Sequence, residues 1–154
     1  FLDLLSATWN DDESYEFAKS ARMFECWERN VAAMIGLATA VEYLSTLGVV
    51  AVENRIKQLS SSLTAGLSKL KDVNVLEKSN FRSGIVTFTK GGIDATNLKE
   101  KLSKVNINIS VCKKENARLD LGKESTGDVN RASLHYYNTQ QEISRFLQEL
   151  KKLK

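Results

Sequence analysis

The chain has 154 residues, 42% of them hydrophobic, and 22 Lys+Arg against 19 Asp+Glu give it a formal charge of +3. That length supports one packed domain with its own core and not two comfortable ones. The basic residues are scattered rather than gathered in a stripe, and no run approaches the ~18 uninterrupted apolar residues of a membrane span, so neither nucleic acid nor membrane is expected as a partner.

Cys26 and Cys112 lie far apart and have no CxxC companion. A disulfide scaffold or structural zinc site is therefore not expected, no metal is expected, and a reducing, cytoplasmic compartment fits best. The start does not read as a signal peptide. It has no Met and falls inside an apolar run, Phe1, Leu2, Leu4 and Leu5, so a preceding segment is expected.

In chain order, the first 30 or so residues carry acidic and aromatic side chains with little periodicity and read as a linker. From Asn30 to Leu47, apolar Met34, Leu37, Ala38, Val41, Leu44 and Leu47 recur at helical spacing, which predicts an amphipathic helix closed by Gly48. A second helix follows, because Val49, Val52, Ile56, Leu59, Leu63, Leu67 and Leu70 keep the period. The pattern then changes. Val73 to Leu76 and Ile85 to Phe88 are short and rich in β-branched and aromatic residues, as strands are.

Gly91 and Gly92 make a turn, and Asp94 caps a third helix whose stripe is Leu98, Leu102 and Val105. Ile107, Ile109 and Val111 alternate with polar residues, predicting a half-buried strand. Residues 113–130 read as a long loop with a short strand at Ala117 to Leu121. Ala132 to Tyr136 is the last predicted strand. Thr139 and Glu142 form a capping box opening a final helix with Ile143, Phe146, Leu147, Leu150 and Leu153 on its apolar face. The expected class is α+β, a small mixed or antiparallel sheet covered by helices.

Three segments in order carry a resemblance: FLDLLSATW followed by ARMFECWERN and VAAMIGLATAVEYLSTLG, then RSGIVTF before a helix, then NRASLHYYNTQQEISRFLQEL. Together they resemble the class V aminotransferase, cysteine desulfurase and selenocysteine lyase family of pyridoxal-phosphate (PLP) enzymes, in its C-terminal small-domain portion. The last segment is the most specific.

The resemblance implies the fold of such a small domain, with residues 1–30 leading in from a larger domain and 31–154 forming the small one. It implies PLP as cofactor, bound mainly by the larger domain, an amino-acid substrate, and a homodimer. The function implied is part of a lyase, desulfurase, epimerase or transaminase, and the alternative is a free-standing α+β binding module without catalysis. The lysine that forms the Schiff base with PLP belongs upstream of Phe1, so the isolated chain is expected to be inactive.

Arg131 matches the family's arginine for the substrate α-carboxylate, a role suited to a guanidinium's paired, permanently charged donors. Considered alone, it would more simply pair with a surface acid. Where the family has a Gly-Thr-Pro-Asn turn whose threonine reaches cofactor phosphate, this chain has Trp27, Glu28, Arg29 and Asn30, which leaves Arg29 as the candidate phosphate ligand. Where many desulfurases place the sulfur-accepting cysteine, this chain has Glu115, and Cys112 reads as a small packed side chain rather than a nucleophile. Lys90 has the look of a turn lysine. His135 reads as a hydrogen-bonded structural histidine, Asn138 and Thr139 as corner and cap, and Trp9 and Trp27 as packing or as cofactor-pocket walls.

Overall fold

A computed structural model describes residues 5–25, 28–76, 83–119, 121 and 127–153, so the expectations for Cys26 and Trp27 lie outside the described residues. The chain divides into two compact units, 1–46 and 47–154.

The first unit holds a hairpin where a linker was expected. β1 (Ala7–Trp9) pairs antiparallel with β2 (Tyr15–Phe17), Trp9 opposite Tyr15 and Ala7 opposite Phe17. Asp11 builds the turn by accepting from the Glu13 amide at 2.9 Å and the Ser14 hydroxyl at 2.8 Å. Strands of three residues are too short to show a readable period in the sequence. Trp9, Tyr15 and Phe17 share a face with edge-to-face contacts at 6.2 and 5.3 Å, and Trp9 is 63% exposed. α1 (Val31–Leu47) begins where the Asn30 side chain accepts from the Ala33 amide at 2.9 Å. Its predicted stripe, including Met34, Leu37 and Val41, is exposed.

Near the start of the second unit stands Gly48, whose φ of +84° is a conformation a Cβ would strain, and α2 (Val49–Leu67) follows. The helix stops short of the expected Leu70 because the Lys69 and Leu70 amides turn back onto the Gly66 and Leu67 carbonyls. β3 (Val73–Val75), β4 (Ile85–Lys90), β5 (Ser110–Cys112) and β6 (Val129–Ser133) form one antiparallel sheet in the order β3-β4-β6-β5. α3 (Ala95–Ser103) and α4 (Gln140–Lys152) complete the unit. The class is α+β.

Alternation on the strands assigns their faces. Val86 and Phe88 on β4 and Ala132 on β6 join Leu59, Leu63 and Leu67 of α2, Leu98 and Leu102 of α3, and Ile143, Phe146 and Leu150 of α4 in one core. Phe88 meets Phe146 edge-on at 5.9 Å. Asn130, 1% exposed, is tolerated on this face because its amide donates to the Ala95 carbonyl at 2.7 Å.

Two caps behave as predicted. Asp94 accepts from the Thr96 and Asn97 amides at 3.0 Å each, and Thr139 and Glu142 close a reciprocal box at 3.2 and 2.7 Å. Two strands are displaced. β5 begins three residues after Ile107, because Asn106 adopts a left-handed φ of 56° and sends the chain away from the sheet before Ser110 joins it. β6 begins at Val129 rather than Ala132 and ends at Ser133, because the His135 amide is taken by the Asn138 side chain at 2.8 Å in the corner before α4. Arg131 is therefore in mid-strand rather than at a strand's opening. In place of the short strand predicted at Ala117, a 3-10 turn, Lys114–Asn116, precedes a turn in which the Leu121 amide donates to the Ala117 carbonyl.

Candidate functional site

The sheet face turned away from the core carries a polar row around Arg131. Register sets Thr87 of β4 opposite Arg131 of β6, and Arg131 opposite Ser110 of β5, so the three side chains form one row across the sheet. The neighbouring pairs on this face are Ile85 with Ser133 on one side and Val129 with Cys112 on the other. Thr87, Arg131 and Ser110 are all half-buried. Arg131 Nε is buried without a hydrogen-bond partner, and the guanidinium makes no ion pair among the described residues. A buried donor left unpaired costs about 1–3 kcal/mol, and a nearby acceptor would recover it.

Lys90 has a different fate. Its side chain is 1% exposed and its ammonium is bound to the Asp72 carboxylate, which that hydrogen bond holds below the ordinary value of 3.8. An amine so engaged is a structural cation at the open end of the β3–β4 pair, where Lys90 lies opposite Val73, and is not presented to a ligand. Arg29 is exposed just before the Asn30 cap of α1. Cys112 is a free, half-buried thiol one row from Arg131, and Glu115 is exposed in the 3-10 turn. His135 stacks on Tyr137 at 5.0 Å and meets Tyr136 edge-on at 4.7 Å, and no group of three or more metal-capable side chains occurs among the described residues.

Sequence reasoning named Arg131 as a candidate but did not name Thr87 and Ser110 as its neighbours. Their alternation within each strand was legible; the register that aligns them is set between segments distant in the chain.

The second unit is thus an α+β unit with helices on one sheet face and, on the other, a polar row that holds an arginine whose buried Nε has no hydrogen-bond partner. The sequence profile of the family described as "Aminotransferase class-V" matches residues 7–146, and the chain belongs to that family. It is 30% identical over 131 residues to a protein named "Probable cysteine desulfurase" from Xylella fastidiosa, covering 85% of this chain and 31% of that one. To a cysteine desulfurase from Enterobacter it is 28% identical over 148 residues, covering 96% of this chain and 36% of the relative. The fold is similar to that of the apo cysteine desulfurase from Thermococcus onnurineus, with a TM-score of 0.78 at 23% identity over 98% of this chain and 38% of that one. The cysteine desulfurase CsdA from Escherichia coli gives 0.77 at 18% identity, over 99% of this chain and 37% of that one. The chain thus spans about a third of the length of the relatives it matches.

Proposed function

We propose that this chain is the C-terminal portion of a PLP-dependent class V enzyme acting on an amino acid, as a lyase, desulfurase, epimerase or transaminase, and that Arg131 binds the substrate α-carboxylate. The observation that carries the reading is the half-buried guanidinium with an unpartnered Nε, set between Thr87 and Ser110. A carboxylate supplies two acceptors to two parallel donors, and the guanidinium stays charged at any working pH. The row holds the arginine on rigid strands, so the substrate's orientation is fixed by the sheet rather than by a loop.

In this reading residues 1–30 lead in from a larger domain, 31–154 form the small domain, and the whole works as a cytoplasmic homodimer. The exposed apolar row of α1 and the aromatic face of the hairpin support a larger protein that covers them. PLP, when bound, supplies an electron sink for a substrate carbanion. Among this chain's residues Arg29, exposed beside the start of α1, is the one we assign to the cofactor phosphate. Lys90 is paired with Asp72 and cannot carry the cofactor. We assign the Schiff-base lysine and the pyridine partner to the larger domain, which leaves the isolated chain inactive.

The test is Arg131→Ala in the full-length enzyme. Amino-acid binding should weaken by about 2–5 kcal/mol, as when one partner of a desolvated charge pair is removed. Unchanged amino-acid affinity would reject the assignment.

A further inference from the structure

The β5–β6 ladder ends at the Ser110–Arg131 pair. Beyond it the two segments part. Residues 106–109 diverge after the left-handed Asn106, while β6 runs on to Ser133 with β4 as its neighbour. A cleft of about 190 Å3 opens there, and Arg131 is not among its walls. Its deepest walls, from Leu63, Ile109, Ile143 and Phe146, are apolar and nearly buried, while Asn106, Asn108, Ser133 and Asn138 make about half of its lining polar. Its rim carries both signs of charge from a single helix, because Glu142 and Arg145 also line it from α4.

Residues three apart on a helix are neighbours about 5–6 Å apart at Cβ, yet these two make no ion pair with each other or with any other described residue. Each is held by a bond that leaves it reactive toward a ligand. The Arg145 guanidinium donates through Nη2 to the Val105 carbonyl at 2.6 Å, which anchors it at the rim with its other donors unused among the described residues. The Glu142 carboxylate spends Oε2 on the Thr139 amide at 2.7 Å, and Oε1 has no hydrogen bond among the described residues. The same capping bonds keep Glu142 below its ordinary value of 4.5, so it is an anion near neutral pH.

A fixed cation and a fixed anion one turn apart over an apolar floor are the complement of a small zwitterion with an apolar tail. Size narrows the class. An apolar cavity of about 150 Å3 takes a six-carbon ring, whereas sites for drug-sized ligands run to roughly 300–1,000 Å3. We propose that this cleft binds a free α-amino acid with an apolar side chain about the size of leucine, its carboxylate on Arg145, its ammonium on Glu142 and its side chain on the Leu63, Ile143 and Phe146 floor. A residue inside a peptide lacks both charges and does not satisfy the rim. The site is separate from the Arg131 row and does not depend on the function proposed for that row.

The experiment is calorimetric titration of L-leucine into the full-length protein carrying Arg131→Ala, so that the carboxylate site of the sheet does not contribute. Saturable binding of one leucine per chain is expected. Arg145→Gln keeps a donor for the Val105 carbonyl, and Glu142→Gln keeps the capping box, which glutamine also closes. Each should weaken leucine binding by about 10-fold to 100-fold through loss of one charged hydrogen bond. On the protein with both rim charges intact, 3-methylbutylamine, which lacks the carboxylate, and 4-methylpentanoate, which lacks the ammonium, should bind at least about 10-fold more weakly than leucine. No saturable leucine binding, undiminished binding in either rim variant, or binding of either analogue as tight as that of leucine would overturn the proposal.

Discussion

Two glycines in the second unit pose nearly the same steric problem and should answer it differently. A Cβ on Gly84 would lie 2.3 Å from the Leu134 carbonyl oxygen and 3.2 Å from Ile56 Cγ2. A Cβ on Gly66 would lie 2.2 Å from Cδ1 of Leu147. At Gly84 the obstacle is main chain, and it is the segment whose Leu134 amide donates to the Gly84 carbonyl at 2.6 Å to extend the β4–β6 pairing. Gly84→Ala must push β6 away, with an overpacking cost of about 1–3 kcal/mol and loss of about 0.5–1.5 kcal/mol from the weakened bond. The expected total is about 2–4 kcal/mol. At Gly66 the obstacle is the tip of a half-buried leucine, whose off-rotamer shift costs about 0.5–1.5 kcal/mol while alanine returns about 1 kcal/mol of helix propensity. Gly66→Ala should therefore fall within about 1 kcal/mol of neutral. Denaturant unfolding followed by circular dichroism reads both, and at roughly 4 °C per kcal/mol the Gly84 variant should also melt about 8–16 °C lower. A Gly84→Ala cost under about 1 kcal/mol, or a larger loss for Gly66→Ala, would refute the reasoning about close approach.

Further expectations rest on the caps, the buried cation and the proposed place of the cofactor lysine in a larger domain. Thr139→Ala removes the cap oxygen of α4 and should cost about 0.5–2 kcal/mol in chemical unfolding. Lys90→Met should be tolerated better than Asp72→Asn, because the second leaves a 1%-exposed ammonium without its carboxylate; the ordering of melting temperatures decides it. Asp72, Asp94 and Glu142 are all held below their ordinary values of 3.8, 3.8 and 4.5, in order by the Lys90 hydrogen bond, the Asn97 amide and the Thr139 amide. Their contribution is fully present above those values and is lost as pH falls through the lower folded ones, so stability should be level near neutrality and decline below about pH 4.5. Glu142→Gln should flatten part of that decline in melts taken against pH. Purified chain supplied with PLP should turn over neither cysteine nor alanine, and steady product release from either would contradict the assignment of the lysine to a larger domain.

The features legible in the sequence were those fixed within one helical turn or one helix face. α1, α3 and α4 follow from three- and four-residue spacing, and the Asp94 and Thr139 caps from residue type at a fixed offset. The strand limits were not legible in the same way. Ile107 and Ile109 alternate as a strand should, but a left-handed Asn106 and the absence of a β6 partner before Ser110 leave them outside the ladder. The hairpin around Asp11 had a turn signal in its Asp and Ser, yet three-residue strands carry too little period to read. Arg131 came from a resemblance, whereas its row with Thr87 and Ser110 needed the register of three strands. The leucine-sized cleft needed still more, since it joins α2, α4 and the parting of β5 from β6.

The measurement closest to the central claim is the length and upstream sequence of the native polypeptide, by intact mass of the endogenous protein and reading of its transcript. The account predicts a product about three times this length, as the 31% and 36% coverage of its relatives implies, with a cofactor-bearing lysine before Phe1. A native product of 17.2 kDa would contradict it and make the chain a binding module that kept the fold without the catalysis.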